Sequence, residues 1–336
     1  MENLKVFIFT EGSKNIGFGH ITRCLSLYQA FEEYNIHPKF IVHGDDSLTG
    51  LLQGTNYELI DWMETKNKFL ENIRGSDIGI IDSYLASDDI YEELSKSVRI
   101  PVYIDDNKRI DYHKGVVING NIHALSLHYP TKEDVVYLLG TDYVPLRKEF
   151  RDVPEKIINE EVKSILITFG GDDIRGMTPK VLKLLTENYP NIKKNIVIGQ
   201  GFKNKQEIHR FVDKNTILTL DATGEQMKNL MLKYDIAISA GGQTLYELAR
   251  IGVPTVAVVV ADNQRISVQG WQKTGFTEYA GWWEDSNILD RIKNGLDKLK
   301  DVNKRIEINR IGKALIDGRG SERIVEFILS KFNMHD

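Results

Sequence analysis

The residues best able to do chemistry in this sequence stand in the stretch 15–23, NIGFGHITR, between an apolar run at 4–10 and a helix-like pattern that begins at Ile21. Gly17 and Gly19 let the backbone turn sharply and approach a ligand without side-chain obstruction, and the helix that follows offers N–H groups and the positive end of its dipole. Such a turn is a place for an anion. His20 falls at the start of that helix, where the dipole disfavours an imidazolium, so a neutral ring able to accept a proton is expected there. A second concentration lies at 238–254, ISAGGQTLYELARIGVP, where a strand ends at Ser239, Gly241 and Gly242 turn, and a helix runs to a Gly252 C-cap followed by Pro254. The amides that open this helix, around Gln243 and Thr244, can hold a phosphate. Glu247, one turn further on, can accept two hydrogen bonds and so suits the paired hydroxyls of a ribose. Gly170 and Gly171 follow a third apolar run, and Asp262, Asn263 and Gln264 follow a fourth.

These residues need elements to position them, and the pattern around them supplies a regular series. Short β-branched or apolar runs at 4–10, 39–43, 77–82, 100–105, 115–119 and 136–139 read as strands. Between the first two, Ile21, Cys24, Leu25, Tyr28 and Phe31 recur at the spacing of a helix packed on a sheet. Polar residues stand where three strands end, at Asp82 to Tyr84, Asp105 to Asn107 and Asn119 to Asn121. In open α/β sheets ligands bind outside the carboxyl ends of strands, so one shared cleft is expected there. A charged stretch at 146–163 reads as helix-like, the end of a first domain and a linker. The pattern then begins again with a strand at 164–169, the turn at Gly170 and Gly171, a helix from Met177, and strands at 195–198, 216–220, 235–239 and 255–260. The fold class expected is α/β with two Rossmann-like halves, 1–150 and 151–318. A last helix in 319–336 carries Ile324, Val325, Ile328, Leu329 and Phe332 as a buried stripe.

Composition narrows the function. With 336 residues, 41% of them hydrophobic and 27% charged, the chain has room for two domains. A net charge of −5 supplies no basic field, which argues against nucleic acid as a partner. No apolar run approaches the ~20 residues of a membrane span, and the charged opening MEN is unlike a signal peptide, so a cytoplasmic protein without membrane insertion is expected. Cys24 is the one cysteine; it allows no internal disulfide and sits on an apolar face as a core residue. The adjacent pairs Asp45 and Asp46, Asp88 and Asp89, and Asp172 and Asp173 are of the kind solvated turns supply, so neither a metal nor a cofactor is expected.

Taken in order, Gly17, Phe18, Gly19 and His20 with Arg23, then Gly170 and Gly171, then Gly241, Gly242, Glu247 and Gly252, then Asn263 and Gln264, resemble a MurG-like protein of GT-B fold. Within that group the chain is similar to the hydrolases of pseudaminic acid biosynthesis, which release UDP from UDP-2,4-diacetamido-2,4,6-trideoxy-β-L-altropyranose, and to related spore-coat polysaccharide proteins. Asp82 to Tyr84, Asp105 with Asp106, Asn119 with Asn121, and Tyr143 with Arg147 carry this closer likeness, which extends over nearly the whole chain. The resemblance implies a metal-independent, inverting UDP-sugar hydrolase with its site between two domains; separately, a monomer is expected. His20 would be the base that activates water. Gly17, Phe18, Gly19, Arg23, Asp82, Tyr84, Asn263 and Gln264 would contact the sugar substrate. Gly170, Gly171, Gly241, Gly242, Gln243, Thr244 and Glu247 would hold UDP. One departure stands out: the family carries histidine where this chain has Ser83, so the identity of the sugar does not carry over. A GT-B glycosyltransferase and a non-catalytic nucleotide-sugar-binding protein are the alternatives.

Overall fold

A computed structural model describes residues 4–13 and 16–334; Asn15, which opens the glycine motif, and residues 1–3 lie outside the described residues. The chain divides into two compact units, one of residues 1–148 with 318–336 and one of residues 149–317. Among the described residues the first unit holds seven strands, Val6–Gly12 (β1), Lys39–Gly44 (β2), Tyr57–Leu59 (β3), Ile78–Asp82 (β4), Ile100–Ile104 (β5), Gly115–Asn119 (β6) and Val135–Leu139 (β7). They pair in parallel in the order β3-β2-β1-β4-β5-β6-β7. The second unit holds six, Ser164–Thr168 (β8), Lys193–Ile198 (β9), Thr216–Leu220 (β10), Ile236–Ala240 (β11), Thr255–Val259 (β12) and Thr277–Trp282 (β13). Their order is β10-β9-β8-β11-β12-β13, again all parallel. Parallel sheets need cover on both faces, which is why β4, β5, β11 and β12 are buried at every position and read as continuous apolar runs. Each unit is thus a doubly wound, Rossmann-like sheet.

Where the strand order reverses, the crossovers leave in opposite directions and a crevice opens at the carboxyl ends. The reversal falls between β1 and β4 in the first unit and between β8 and β11 in the second. All four strands are followed by a segment singled out in the sequence. In register, Thr10 lies beside Asp82 and Thr168 beside Ser239, so the paired segments start at the same height.

Core packing follows the alternation along β1. Val6 and Ile8 face the helix Gly19–Glu32, burying Ile21, Cys24, Leu27, Tyr28 and Phe31, while Phe9 joins Trp62, Phe69 and Ile81 on the other face. The last helix, Gly320–Met334, belongs to the first of these clusters through Ile324, Val325, Ile328 and Leu329.

Several elements depart from the pattern reading, among them the short edge strand β3, which no expected strand covers. The stretch 146–163 forms only a short turn at Lys148–Phe150 and then runs without helix. It is fastened to the second unit by Lys156, Asn159 and Arg305, so its charges serve tertiary contacts. Strand β13 was hidden by Gly281 and the charged Glu278, and the helix Val302–Leu315 by its weak apolar stripe, although Asp301 caps it through Asn303 N.

Candidate functional site

The helix Gly19–Glu32 begins two residues before the pattern predicts, because the Phe18 carbonyl already accepts from Thr22 N at 3.0 Å. His20 therefore stands in the first turn. Gly17 takes φ +93, a conformation that a side chain would strain, and its N–H donates to Ser13 O at 2.8 Å. This bond holds the start of the helix at the end of β1, which pairs with β4.

There the structure gathers five side chains into a closed ring. His20 Nδ1 lies 2.7 Å from Asp82 Oδ1. Arg23 donates to both oxygens of Asp82 at 2.5 Å and to both oxygens of Asp106 at 2.7 and 2.9 Å. The Tyr84 hydroxyl donates to Asp106, and the Tyr84 ring meets the His20 ring edge-on, centroids 4.7 Å apart at 90°. Helix position supplies His20 and Arg23 three residues apart on one face. The ends of β4 and β5 supply Asp82 and Asp106.

Burial alone would raise the pKa of both carboxyls; the Arg23 guanidinium outweighs it and holds each below the usual carboxylate range, with His20 adding to the effect on Asp82 and the Tyr84 and Asn121 hydrogen bonds on Asp106. Burial, then the Asp106 charge, pushes the Tyr84 phenol up, so it remains a donor. Burial likewise pushes the Cys24 thiol well up, which leaves Cys24 an unreactive core residue beneath Asp82. With Asp82 accepting at Nδ1, the other ring nitrogen of His20 is the one that can take a proton.

The resemblance gives Arg23 and Asp82 to the substrate; here their charged atoms are spent on one another, on His20 and on Asp106. Asp106 and Asn121, to which the reading assigned no role, complete the cluster, Asn121 Nδ2 donating to Asp106 at 2.7 Å. Their signal was available in the polar ends of β5 and β6. Behind them Asp105, Asn119 and Tyr129 form a second hydrogen-bonded layer. Ser83 is buried, and its hydroxyl donates to Glu11. Phe18 packs partly against the core of the unit.

In the second unit the paired turns leave β8 and β11. Gly170 has φ +80 and open space where a Cβ would stand. The Gly171 carbonyl accepts from Gly201 N at 3.0 Å, which ties the turn to the loop after β9. The pair Asp172 and Asp173 is not a solvated turn: Asp173 is buried, caps the helix Met177–Asn188 by accepting from Met177 N and Thr178 N, and is pushed up to about 6 by burial. At Gly241 an added Cβ would lie 2.2 Å from Val268 Cγ2 and 3.3 Å from Gln264 Cβ. Gln264 thus reaches the Gly241–Gly242 turn, while its Oε1 accepts from Val260 N at 3.0 Å. Asn263 stands exposed in the short turn Asp262–Gln264.

The helix Thr244–Ile251 makes its first bonds from Leu245 N and Tyr246 N, and the amides around Gly242 and Thr244 stand where a helix start can face an anion. Glu247, in the first turn, is only 3% exposed, which removes the option of a solvated surface glutamate. Among the described residues no group of three or more His, Cys, Asp and Glu side chains is placed to share a metal ion, and no helix is long and apolar enough to cross a membrane.

Residues 165–307 match the glycosyltransferase family 28 C-terminal domain. The chain is 28% identical over 265 residues to the Helicobacter pylori pseudaminic acid cytidylyltransferase and UDP-2,4-diacetamido-2,4,6-trideoxy-β-L-altropyranose hydrolase, covering 77% of this chain and 45% of that protein. It is 23% identical over 284 residues to the Campylobacter jejuni hydrolase of the same UDP-sugar, covering 81% of this chain and 98% of that one. It is 22% identical over 338 residues to the Bacillus subtilis spore coat polysaccharide biosynthesis protein SpsG, covering 97% and 98%. The chain spans about half the length of the Helicobacter protein and 57% of an uncharacterized Methanocaldococcus jannaschii relative. Among solved structures, Acinetobacter baumannii MurG has a TM-score of 0.68 at 14% identity, covering 97% of this chain and 99% of its own. The S. aureus MnaA–UDP co-structure has a TM-score of 0.70 at 14% identity, covering 98% and 97%. These likenesses show the fold, a GT-B fold of two Rossmann-like domains.

Proposed function

We propose that this protein is an enzyme acting on a UDP-sugar, and that it releases UDP by attack of water at the anomeric carbon with inversion, in the biosynthesis of a nonulosonic acid such as pseudaminic acid or of a surface polysaccharide. The observation that carries the reading is the His20–Asp82 pair at the strand-order reversal of the first unit, with Arg23 keeping Asp82 ionised. Asp82 accepts the Nδ1 proton and orients the ring; Nε2 takes a proton from water as the water oxygen bonds to C1. The C1–O bond to the diphosphate breaks, and its electron pair leaves with UDP. Tyr84 confines the His20 ring from the side. The amides at the start of the helix Thr244–Ile251 and the glycine turns after β8 and β11 suit the departing diphosphate, and Glu247 suits the ribose. The relatives that act on a UDP-diacetamido-trideoxy sugar support the hydrolytic reading and the choice of nucleotide.

The match of residues 165–307 to a glycosyltransferase domain favours a second reading, in which an acceptor hydroxyl replaces water at the same base. One experiment separates the two. The protein is incubated with UDP-linked diacetamido-trideoxy-hexoses in ¹⁸O-labelled water, without acceptor and with a chelator present. Stoichiometric UDP release with the label on the sugar C1 is the expected result. Release only on adding an acceptor would make it a transferase, label in UDP would mean P–O cleavage, and binding without turnover would make it a nucleotide-sugar-binding protein.

A further inference from the structure

The carboxylate of Glu11 takes no part in the reaction drawn above, yet it is buried, 1% exposed, near the carboxyl end of β1. Its Oε1 accepts from Tyr84 N at 2.7 Å and from Leu85 N at 3.3 Å, and its Oε2 accepts from the Ser83 hydroxyl. Ser83 Oγ in turn accepts from Ala86 N at 2.9 Å and Leu85 N at 3.1 Å. The Ser83 carbonyl accepts from Arg109 Nη2 at 2.7 Å and from the Tyr91 hydroxyl at 2.8 Å. Every end of the turn at 83–86 is therefore fastened, and its centre is fastened to β1 by Glu11. Burying a carboxyl group is costly unless its oxygens are hydrogen-bonded, so this one is bound to the geometry of its donors. The turn holds one side chain that reaches the ring of five: Tyr84, edge-on to His20 and bonded to Asp106.

We propose that Glu11 is a positioning residue, whose buried carboxylate sets the turn at 83–86 so that Tyr84 holds the His20 ring in the orientation Asp82 can use. The inference rests on the reading of His20 as the base, and it explains the place of Ser83. That side chain completes the Glu11 site by donating to Glu11 and accepting from Leu85 N and Ala86 N, so serine here tunes the support of the ring.

Glu11→Gln tests this, because it preserves shape and replaces one acceptor oxygen by an NH₂ facing N–H or O–H donors. Two readouts are taken on the full-length protein. One is the kinetics of UDP release from a UDP-diacetamido-trideoxy-hexose. The other is the His20 Cε1–H signal in NMR, assigned by its loss in His20→Asn and shifted by the neighbouring Tyr84 ring. The expected result is a kcat lower by about 10- to 100-fold, the scale on which small misplacements act. KM and UDP affinity should change little, Glu11→Asp should recover part of the rate, and the His20 signal should move in the direction that Tyr84→Leu moves it. A folded Glu11→Gln protein with the wild-type His20 signal overturns the proposal, whether its melting temperature falls or not. Should Glu11→Gln fail to fold, Ser83→Ala serves in its place, with a smaller shift of the same sign expected and an unmoved signal overturning the proposal. Should the wild type release no UDP, the functional reading falls, and the His20 signal still decides the role of Glu11.

Discussion

At the residue scale, the ring around Arg23 makes predictions about chemistry and about charge. His20→Asn should lower UDP release by the ~10²–10⁴-fold typical of a lost proton-transfer group, with UDP affinity by calorimetry nearly intact, because the nucleotide is assigned to the second unit. Full turnover in that variant would remove His20 from the mechanism. Arg23 matters differently. Asp82 and Asp106 sit below the usual carboxylate range when folded, so they contribute stability that is complete above about pH 4, the unfolded value, and is lost as the pH falls through their lowered folded values. In Arg23→Met, burial is opposed only by His20 at Asp82 and by the Tyr84 and Asn121 hydrogen bonds at Asp106, so both folded values rise. The variant should be destabilised by about 3–5 kcal/mol near neutrality, the cost of breaking a buried pair. The gap to wild type should then shrink as the pH is lowered towards 4. Denaturant unfolding at several pH values checks this, and a gap independent of pH would contradict it.

At the scale of elements, the second unit depends on a lysine that the pattern places in a linker. Lys156 Nζ donates to the carbonyls of Met231, Leu232 and Tyr234 at 2.9, 3.0 and 2.6 Å, which end the helix Gly224–Lys233. A cation belongs at that end of a helix dipole. Lys156→Met should cost about 1.5–3 kcal/mol, the range for hydrogen bonds to a charged group, read as a lower melting temperature. Burial pushes this ammonium down to about 8, so the unfolded chain holds the extra proton between there and its unfolded value. The wild type should therefore gain on the variant as the pH rises from about 8 to about 10.4. The turn after β11 permits a second test. Gly241→Ala would drive a methyl into Val268 and Gln264, so it should cost about 1–3 kcal/mol and weaken UDP binding. Unchanged UDP affinity in calorimetry would show that this turn does not shape the nucleotide site.

At the scale of the whole molecule, the first unit is assembled from both ends of the chain. Ile324, Val325, Ile328 and Leu329 lie in the same core as β1 and the helix Gly19–Glu32. Full burial of such side chains is worth about 1.5–3 kcal/mol each, so removing all four costs about as much as the 5–15 kcal/mol that holds a typical domain folded. Truncation after Asp317 should therefore unfold the first unit and leave the second with its own melting transition and its UDP affinity. Calorimetry would show one transition lost and one retained; loss of both would mean that the second unit does not stand alone.

Much of this was legible in the sequence, because its signals are local. Alternating apolar runs and helical stripes report on backbone periodicity, and glycines after a strand report on a positive φ, as at Gly17 and Gly170, or on a close approach, as at Gly241, so both doubly wound sheets and the places of His20, Gly170 and Gly241 follow from the residues alone. The strand at 115–119 and the strand at 216–220 stand where the pattern puts them. Charge pairing is not local. Arg23 lies 59 positions from Asp82 and 83 from Asp106, and nothing in the spacing of these residues says that they meet. The sequence could mark Arg23 and Asp82 as polar groups near a ligand. Only the parallel register that sets the ends of β1, β4 and β5 side by side decides that they neutralise each other and hold His20. The same reason covers the stretch 151–163, whose charges look like a solvated linker until Asp235, Arg305 and the end of the helix Gly224–Lys233 supply their partners. A charged residue's neighbours are chosen by the fold, and the work that its charge does is chosen with them.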